Sequence, residues 1–140
     1  MFHLTPLSEE PTTSDQGPSP HASLADLRIA AVAAEAETPP KVTGSALQTY
    51  LERSRAIRDY ALARAFGNCE CCNRPAPFLT GDGHPFLEVH HLRRLADGGP
   101  DCIDAVAAVC PNCHREVHFG VHGEALNEKL TATIRTKEQH

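Results

Sequence analysis

Apolar residues recur along the chain in patterns that predict different elements. From Ser45 to Phe66 there is no Gly or Pro, and Leu47, Leu51, Ile57, Ala61 and Ala65 fall on or near one side at helical spacing. Arg53, Arg55, Arg58 and Arg64 spread around the remainder of this helix, and Gly67 supplies its C-terminal stop. TGDGHP, Thr80 to Pro85, reads as a turn, and Phe86 to His91 then alternates as a strand does. Leu92, Arg93 and Arg94 open a long loop containing LADGGPD, Leu95 to Asp101, which ends near Asp104. Val106 to Cys110 is a second short apolar strand. Pro111 suits the first turn of a short helix, PNCHREVHF, that stops at Gly120. Leu126, Leu130 and Ile134 recur every four residues and predict a last amphipathic helix from about Glu124 to Thr136. The result is a small α+β domain with no internal repeat.

The first forty residues differ in character. Residues 1–22 mix four prolines with Ser, Thr, Glu and Asp, a composition too polar to offset chain entropy, and are expected to be disordered. Residues 23–37 are alanine-rich and helical in pattern, with Ser23 as N-cap and Asp26 three residues on. Such a helix is marginal alone and would need a partner surface. Pro39 and Pro40 then make a linker. The expected division is a disordered or weakly helical tail over 1–40 and a folded domain over 45–140, with its core at 69–120.

Charge sharpens this division. The net charge of −5 argues weakly against nucleic-acid binding, but residues 1–40 hold six acids against Arg28 alone and so account for all of it. Residues 41–140 balance twelve acids against twelve bases, eight of those bases lying between Lys41 and Arg94.

The core candidate has no Trp in the chain and few aromatics to bury, and domains of this size are often stabilised by cross-links or metal. Six cysteines meet that need. With no apolar stretch long enough to span a membrane and no signal-like opening, the expected compartment is the cytoplasm, where thiols stay reduced. Two CxxC pairs, Cys69/Cys72 and Cys110/Cys113, lie 37 residues apart. Four thiolates in this arrangement match a closed tetrahedral zinc site. Four buried free cysteines or a redox dithiol fit the paired spacing less well. CECC leaves a register choice in which Cys71 could replace Cys72, and regular CxxC spacing favours Cys72. Cys71 and Cys102 are read as non-ligands.

Histidines add a second constellation. His114 and His118 are four apart in the short helix and share a face. His90 and His91 are adjacent in the first strand, so they point to opposite sides and do different jobs. For His3, His21, His84, His122 and His140, ordinary surface or core roles suffice.

Taken together, CECC, EVHH, the LADGGPD loop and AVCPNCHREVHFG resemble the HNH endonucleases of the ββα-metal superfamily, and within them the zinc-stapled Mcr-type branch. The helix from Tyr50 to Phe66 and the PAPF segment are also similar to that branch. The resemblance covers roughly residues 45–122 and implies a ββα-metal core with a four-cysteine structural zinc, preceded by one helix and followed by another. It implies that His91 is the general base and that His90, His114 and His118 hold a catalytic divalent ion. Glu88 would support the site or lie exposed on its strand. One position departs from the pattern: the asparagine that braces the loop in the family falls at Ala105.

The implied activity is metal-dependent hydrolysis of DNA phosphodiester bonds. A three-imidazole site leans toward Mn²⁺, Ni²⁺, Co²⁺ or Zn²⁺, while the resemblance keeps Mg²⁺ open. The expected partner is DNA, double-stranded by this reading, with Arg93, Arg94 and Arg115 contacting phosphate or merely exposed beside the site. For Arg53, Arg55 and Arg58 a solvated face is the expectation. The alternative is a non-catalytic zinc-bound adaptor, binding DNA or protein on the same scaffold.

Overall fold

The computed structural model describes residues 22–35, 45–93 and 102–139. Expectations for residues 1–21 and the 36–40 linker lie outside it. So do those for the side chain of Leu47, for Arg94 and for the 95–101 loop.

Ser23 opens the first helix with a reciprocal capping box. Its Oγ accepts from the Asp26 amide at 3.1 Å, and the Asp26 carboxylate accepts from the Ser23 amide at 3.4 Å. The helix that follows, α1 (Leu24–Ala33), is shorter than expected and is part of the domain. Ala31 is fully buried in a cluster with Ile57, Tyr60, Ala61, Ile103 and Val106, which supplies the partner surface an alanine-rich helix needs. Two further ties hold it. The Glu35 carboxylate, just past its end, accepts from the Ile103 amide at 2.9 Å, and Arg28, midway along it, pairs with Glu138 at 3.0 Å. Helix α1 thus packs against α2 and the residues around Ile103, although it falls in the stretch expected to be a tail.

Helix α2 (Ser45–Ala65) packs its second half inward through Ile57, Tyr60, Ala61 and Ala65. Leu51 does not join this stripe and is half exposed. Six residues before Ile57, it sits about 240° around a helix turning ~100° per residue. The Arg64 side chain, for which the spacing gave no particular role, is buried, with 6% of it exposed. Phe66 and Gly67 end the helix with successive positive φ values of 54° and 82°, as the expected glycine stop requires.

Strands β1 (Glu88–His91) and β2 (Val106–Val109) pair antiparallel, with His90 opposite Ala107 and His91 opposite Val106. β1 begins two residues later than the pattern predicts; Phe86 is instead held by its amide to the Phe78 carbonyl at 2.9 Å. A 3-10 turn, Ile103–Ala105, leads into β2, all four residues of which are buried. A two-stranded sheet is marginal alone. Here β2 packs against α2 on one side and on another against α4 (Gly123–Glu138).

Helix α3 (Pro111–Phe119) starts with Pro111, as expected. The turn from it to α4 is tight enough that a Cβ on Gly123 would lie against the Val117 carbonyl oxygen. Leu130 and Ile134 anchor α4 in a core cluster with Ala65, Cys69, Leu87, Leu92, Val109 and Cys113. No helix among the described residues is long and apolar enough to cross a membrane.

Candidate metal centres

The first CxxC turn follows directly from the end of α2. Asn73, at φ 63°, reverses the chain so that its amide donates to the Cys69 carbonyl at 2.8 Å, and the Cys69 amide donates to the Arg74 carbonyl at 2.8 Å. The second pair sits where β2 becomes α3, with the Cys113 amide donating to Cys110 Sγ at 3.4 Å. The four sulfurs of Cys69, Cys72, Cys110 and Cys113 lie within 4.8 Å of one another. Sulfurs arranged tetrahedrally about an ion with bonds of about 2.3 Å are about 3.8 Å apart, so the donor set fits a closed four-thiolate metal site.

Burial opposes ionisation of Cys69, but amide donors from Cys72, Cys110 and Cys71 outweigh it and hold the thiol below its ordinary range. Burial pushes the Cys113 thiol up, and its neighbours add to that, so four thiolates require a cation between them. Cys71 packs against the core cluster instead of joining the four, in keeping with regular CxxC spacing. Cys102 donates its thiol to Asp104 at 3.1 Å and is pushed up to about 12 by burial and that carboxylate. Neither belongs to the four-sulfur group.

Between Cys69 and Cys72 stands Glu70, whose buried carboxylate fastens the turn to the rest of the molecule. It accepts from Arg64 Nε at 2.8 Å and Nη2 at 3.0 Å, from Lys137 Nζ at 2.9 Å and from the Ala108 amide at 2.9 Å. Arg64 in turn reaches Glu138 at 2.9 Å and the carbonyls of Ile103 and Val106. The sequence offered no sign of Glu70, because its partners come from three other elements.

A second cluster forms where β1 faces α3. Imidazole nitrogens of His90, His114 and His118 lie within 4.8 Å of one another, and the ring centroids are 4.9–5.2 Å apart. His114 and His118 share the helix face that their spacing predicts. Glu88 lies on the same side of β1 as His90, two residues earlier, and its carboxylate meets His114 Nδ1 at 2.8 Å. That contact places the proton on Nδ1 and leaves Nε2 of His114 for an ion. His90 is buried, and its Nε2 lies 2.8 Å from Asn127 Oδ1. Burial holds His90 below the usual histidine range, with the neighbouring histidines adding to the shift, so its neutral ring keeps a lone pair for ligation.

His91 is half-buried on the opposite face of the strand and is not in the three-histidine group. Arg93 and Arg115 are exposed, and the Arg115 guanidinium lies 5.7 Å from the Phe119 ring. Ala105 is buried, and its carbonyl accepts from the Leu92 amide at 2.8 Å. Asn127 was missed from the sequence. An asparagine three residues before Leu130, on the inward stripe of an amphipathic helix, is the signal that marks it.

The chain is similar to known proteins. A family model described as HNH endonuclease matches residues 69–120. The chain is 35% identical over 122 residues to the type IV methyl-directed restriction enzyme EcoKMcrA of Escherichia coli (strain K12), covering 84% of this chain and 44% of that one. It is also similar to the solved structure of the type IV phosphorothioation-dependent restriction endonuclease ScoMcrA. There the TM-score is 0.68 at 29% identity, over 91% of this chain and 26% of that one. The chain thus spans less than half the length of the curated relative and about a quarter of the solved one. With four cysteine sulfurs gathered closely enough to hold one ion and three histidine nitrogens gathered closely enough to hold another, residues 69–120 match the HNH endonuclease family, and the chain is similar to Mcr-type restriction enzymes.

Proposed function

We propose that this chain is a metal-dependent endonuclease that hydrolyses phosphodiester bonds of double-stranded DNA. The observation that carries the reading is the convergence of His90, His114 and His118, each on a defined element, with His91 on the other face of the same strand. The cysteine site holds structural zinc, the ion that four-thiolate sites favour. Its reduced thiols suit a cytoplasmic setting.

A divalent ion on the three histidines supplies charge stabilisation for the phosphoryl oxygens and the leaving 3′ oxygen. Imidazole ligands favour Mn²⁺, Ni²⁺, Co²⁺ or Zn²⁺ over Mg²⁺. His91 accepts the proton of the attacking water, a task suited to an imidazole near neutral pH. Glu88 keeps the His114 ring turned so that Nε2 faces the ion. Arg93, Arg94 and Arg115 hold backbone phosphates, which gives affinity with little sequence information.

A plasmid-cleavage assay with zinc-loaded protein and added Mn²⁺, Mg²⁺ or Ni²⁺ tests this. Wild type is expected to nick or cut only with metal, and His91→Ala to lose about 10²-fold or more while still binding DNA. Absence of cleavage by folded, zinc-loaded protein would sink the enzyme reading and leave a metal-bound adaptor. Equal cleavage by His91→Ala would remove His91 as the base.

A further inference from the structure

We infer that Asn127, on α4, is a positioning residue for the histidine site, clamping the strand on both sides of His91. This deepens the nuclease reading above and rests on it. The side-chain amide makes two contacts at once. Nδ2 donates to the Leu92 carbonyl at 3.0 Å, and Oδ1 meets His90 Nε2 at 2.8 Å. His90 and Leu92 flank His91 directly, so one planar group fixes both neighbours of the proposed base.

The chemistry of these contacts assigns every proton. A backbone carbonyl only accepts, so the group facing Leu92 must be the NH₂. The oxygen therefore faces His90, and that ring must carry its proton on Nε2. Nδ1 is then the lone pair left for the ion. Asn127 thus sets the tautomer of one ligand with the same amide that holds the strand end.

Its backing is firm. The Asn127 carbonyl accepts from Thr131 Oγ1 at 2.8 Å, and α4 is anchored by buried Leu130 and Ile134. Leu92 is held from its other side as well, its amide donating to the Ala105 carbonyl at 2.8 Å. Ala105 has no side-chain amide to brace this segment; its backbone and the side chain of Asn127 divide the work. An amide fits because it donates to a carbonyl from one atom and accepts from a ring N–H at another. Aspartate keeps the size of the side chain but loses the donor, and alanine loses both contacts.

The test uses the full chain with zinc in the cysteine site. In wild type without the second metal, nitrogen-15 NMR of the histidine rings is expected to find His90 protonated on Nε2. Calorimetry with Ni²⁺ is expected to show affinity lower by ~10–100-fold in Asn127→Ala and Asn127→Asp. Single-turnover cleavage at saturating metal is expected to fall at least about tenfold, as for a misplaced base, while circular dichroism and DNA affinity stay near wild type. A His90 ring protonated on Nδ1 in wild type would overturn the assignment without any variant. Wild-type Ni²⁺ affinity and cleavage in both variants would overturn it too, with the nuclease reading left standing. Wild type that neither binds Ni²⁺ nor cleaves would remove the nuclease reading and this role together.

Discussion

Glu88 and His114 meet across the space between β1 and α3, 26 residues apart in sequence. The carboxylate is partly exposed, so its main effect is on the direction and tautomer of the histidine ring rather than on stability. Glu88→Ala is expected to lower Ni²⁺ affinity ~10–100-fold, measured by calorimetry, with little change in melting temperature. Arg115 belongs to the same scale. It is exposed one residue beyond His114, and its guanidinium rests near Phe119. If it holds a phosphate, Arg115→Ala should weaken binding to all duplexes alike and reduce the salt slope of binding by about 1. An unchanged slope in a filter-binding or anisotropy titration would return Arg115 to the solvated surface. Histidine and cysteine spacing made the candidate ligands legible, and the family resemblance already offered Glu88 as a support for the site; Asn127 was not legible, because an asparagine is an ordinary residue until the fold brings it to a ring.

At the scale of elements, Arg64 on α2, Glu70 in the metal turn and Glu138 on α4 join three parts of the fold through nearly dry ion pairs. Arg28 and the Tyr60 hydroxyl complete the set at Glu138, at 3.0 Å and 2.6 Å. Burial pushes the Glu138 carboxyl up, but hydrogen bonds from Tyr60, Arg64 and Arg28 outweigh it and hold its pKa below the ordinary 4.5. A carboxylate whose folded pKa is depressed binds fewer protons folded than unfolded. Its stabilisation is present above pH 4.5 and is lost as pH falls through the folded value. Glu138→Gln is therefore expected to cost about 2–3 kcal/mol at pH 7. The gap from wild type should narrow below pH 4.5 in thermal melts. A gap independent of pH would show that packing, not charge, holds α4 there. The same network explains why the burial of Arg64 could not be read from the sequence: helical spacing gives a side chain's face, but α4 and the first CxxC turn decide whether that face is buried.

For the whole molecule, the cysteine site joins the end of α2 to the start of α3, and the histidine site depends on that junction. Structural zinc contributes on the order of 10 kcal/mol in small domains, comparable to total domain stability of roughly 5–15 kcal/mol. Stripping the metal with a strong chelator is expected to unfold the domain, seen as loss of helical circular dichroism and recovered on adding Zn²⁺. Full helicity in metal-free protein would show that the apolar core suffices. The sequence alone determined the parts whose geometry is local: CxxC turns, the i to i+4 pair His114 and His118, alternation in β1, Pro111 and Gly67 as helix signals. It therefore determined the four paired cysteines, the histidines from which the second cluster is drawn and the order of elements from α2 onward, while the choice of His90 over His91 came from the family resemblance. Tertiary structure decided the rest, which depends on partners far along the chain: the docking of α1, the burial of Arg64, and the contacts of Glu70, Glu88 and Asn127. The physical reason is range. A turn or a helix face is set by neighbouring residues, while a hydrogen bond such as His90 to Asn127, across 37 residues, exists only once β1 and α4 have been packed together.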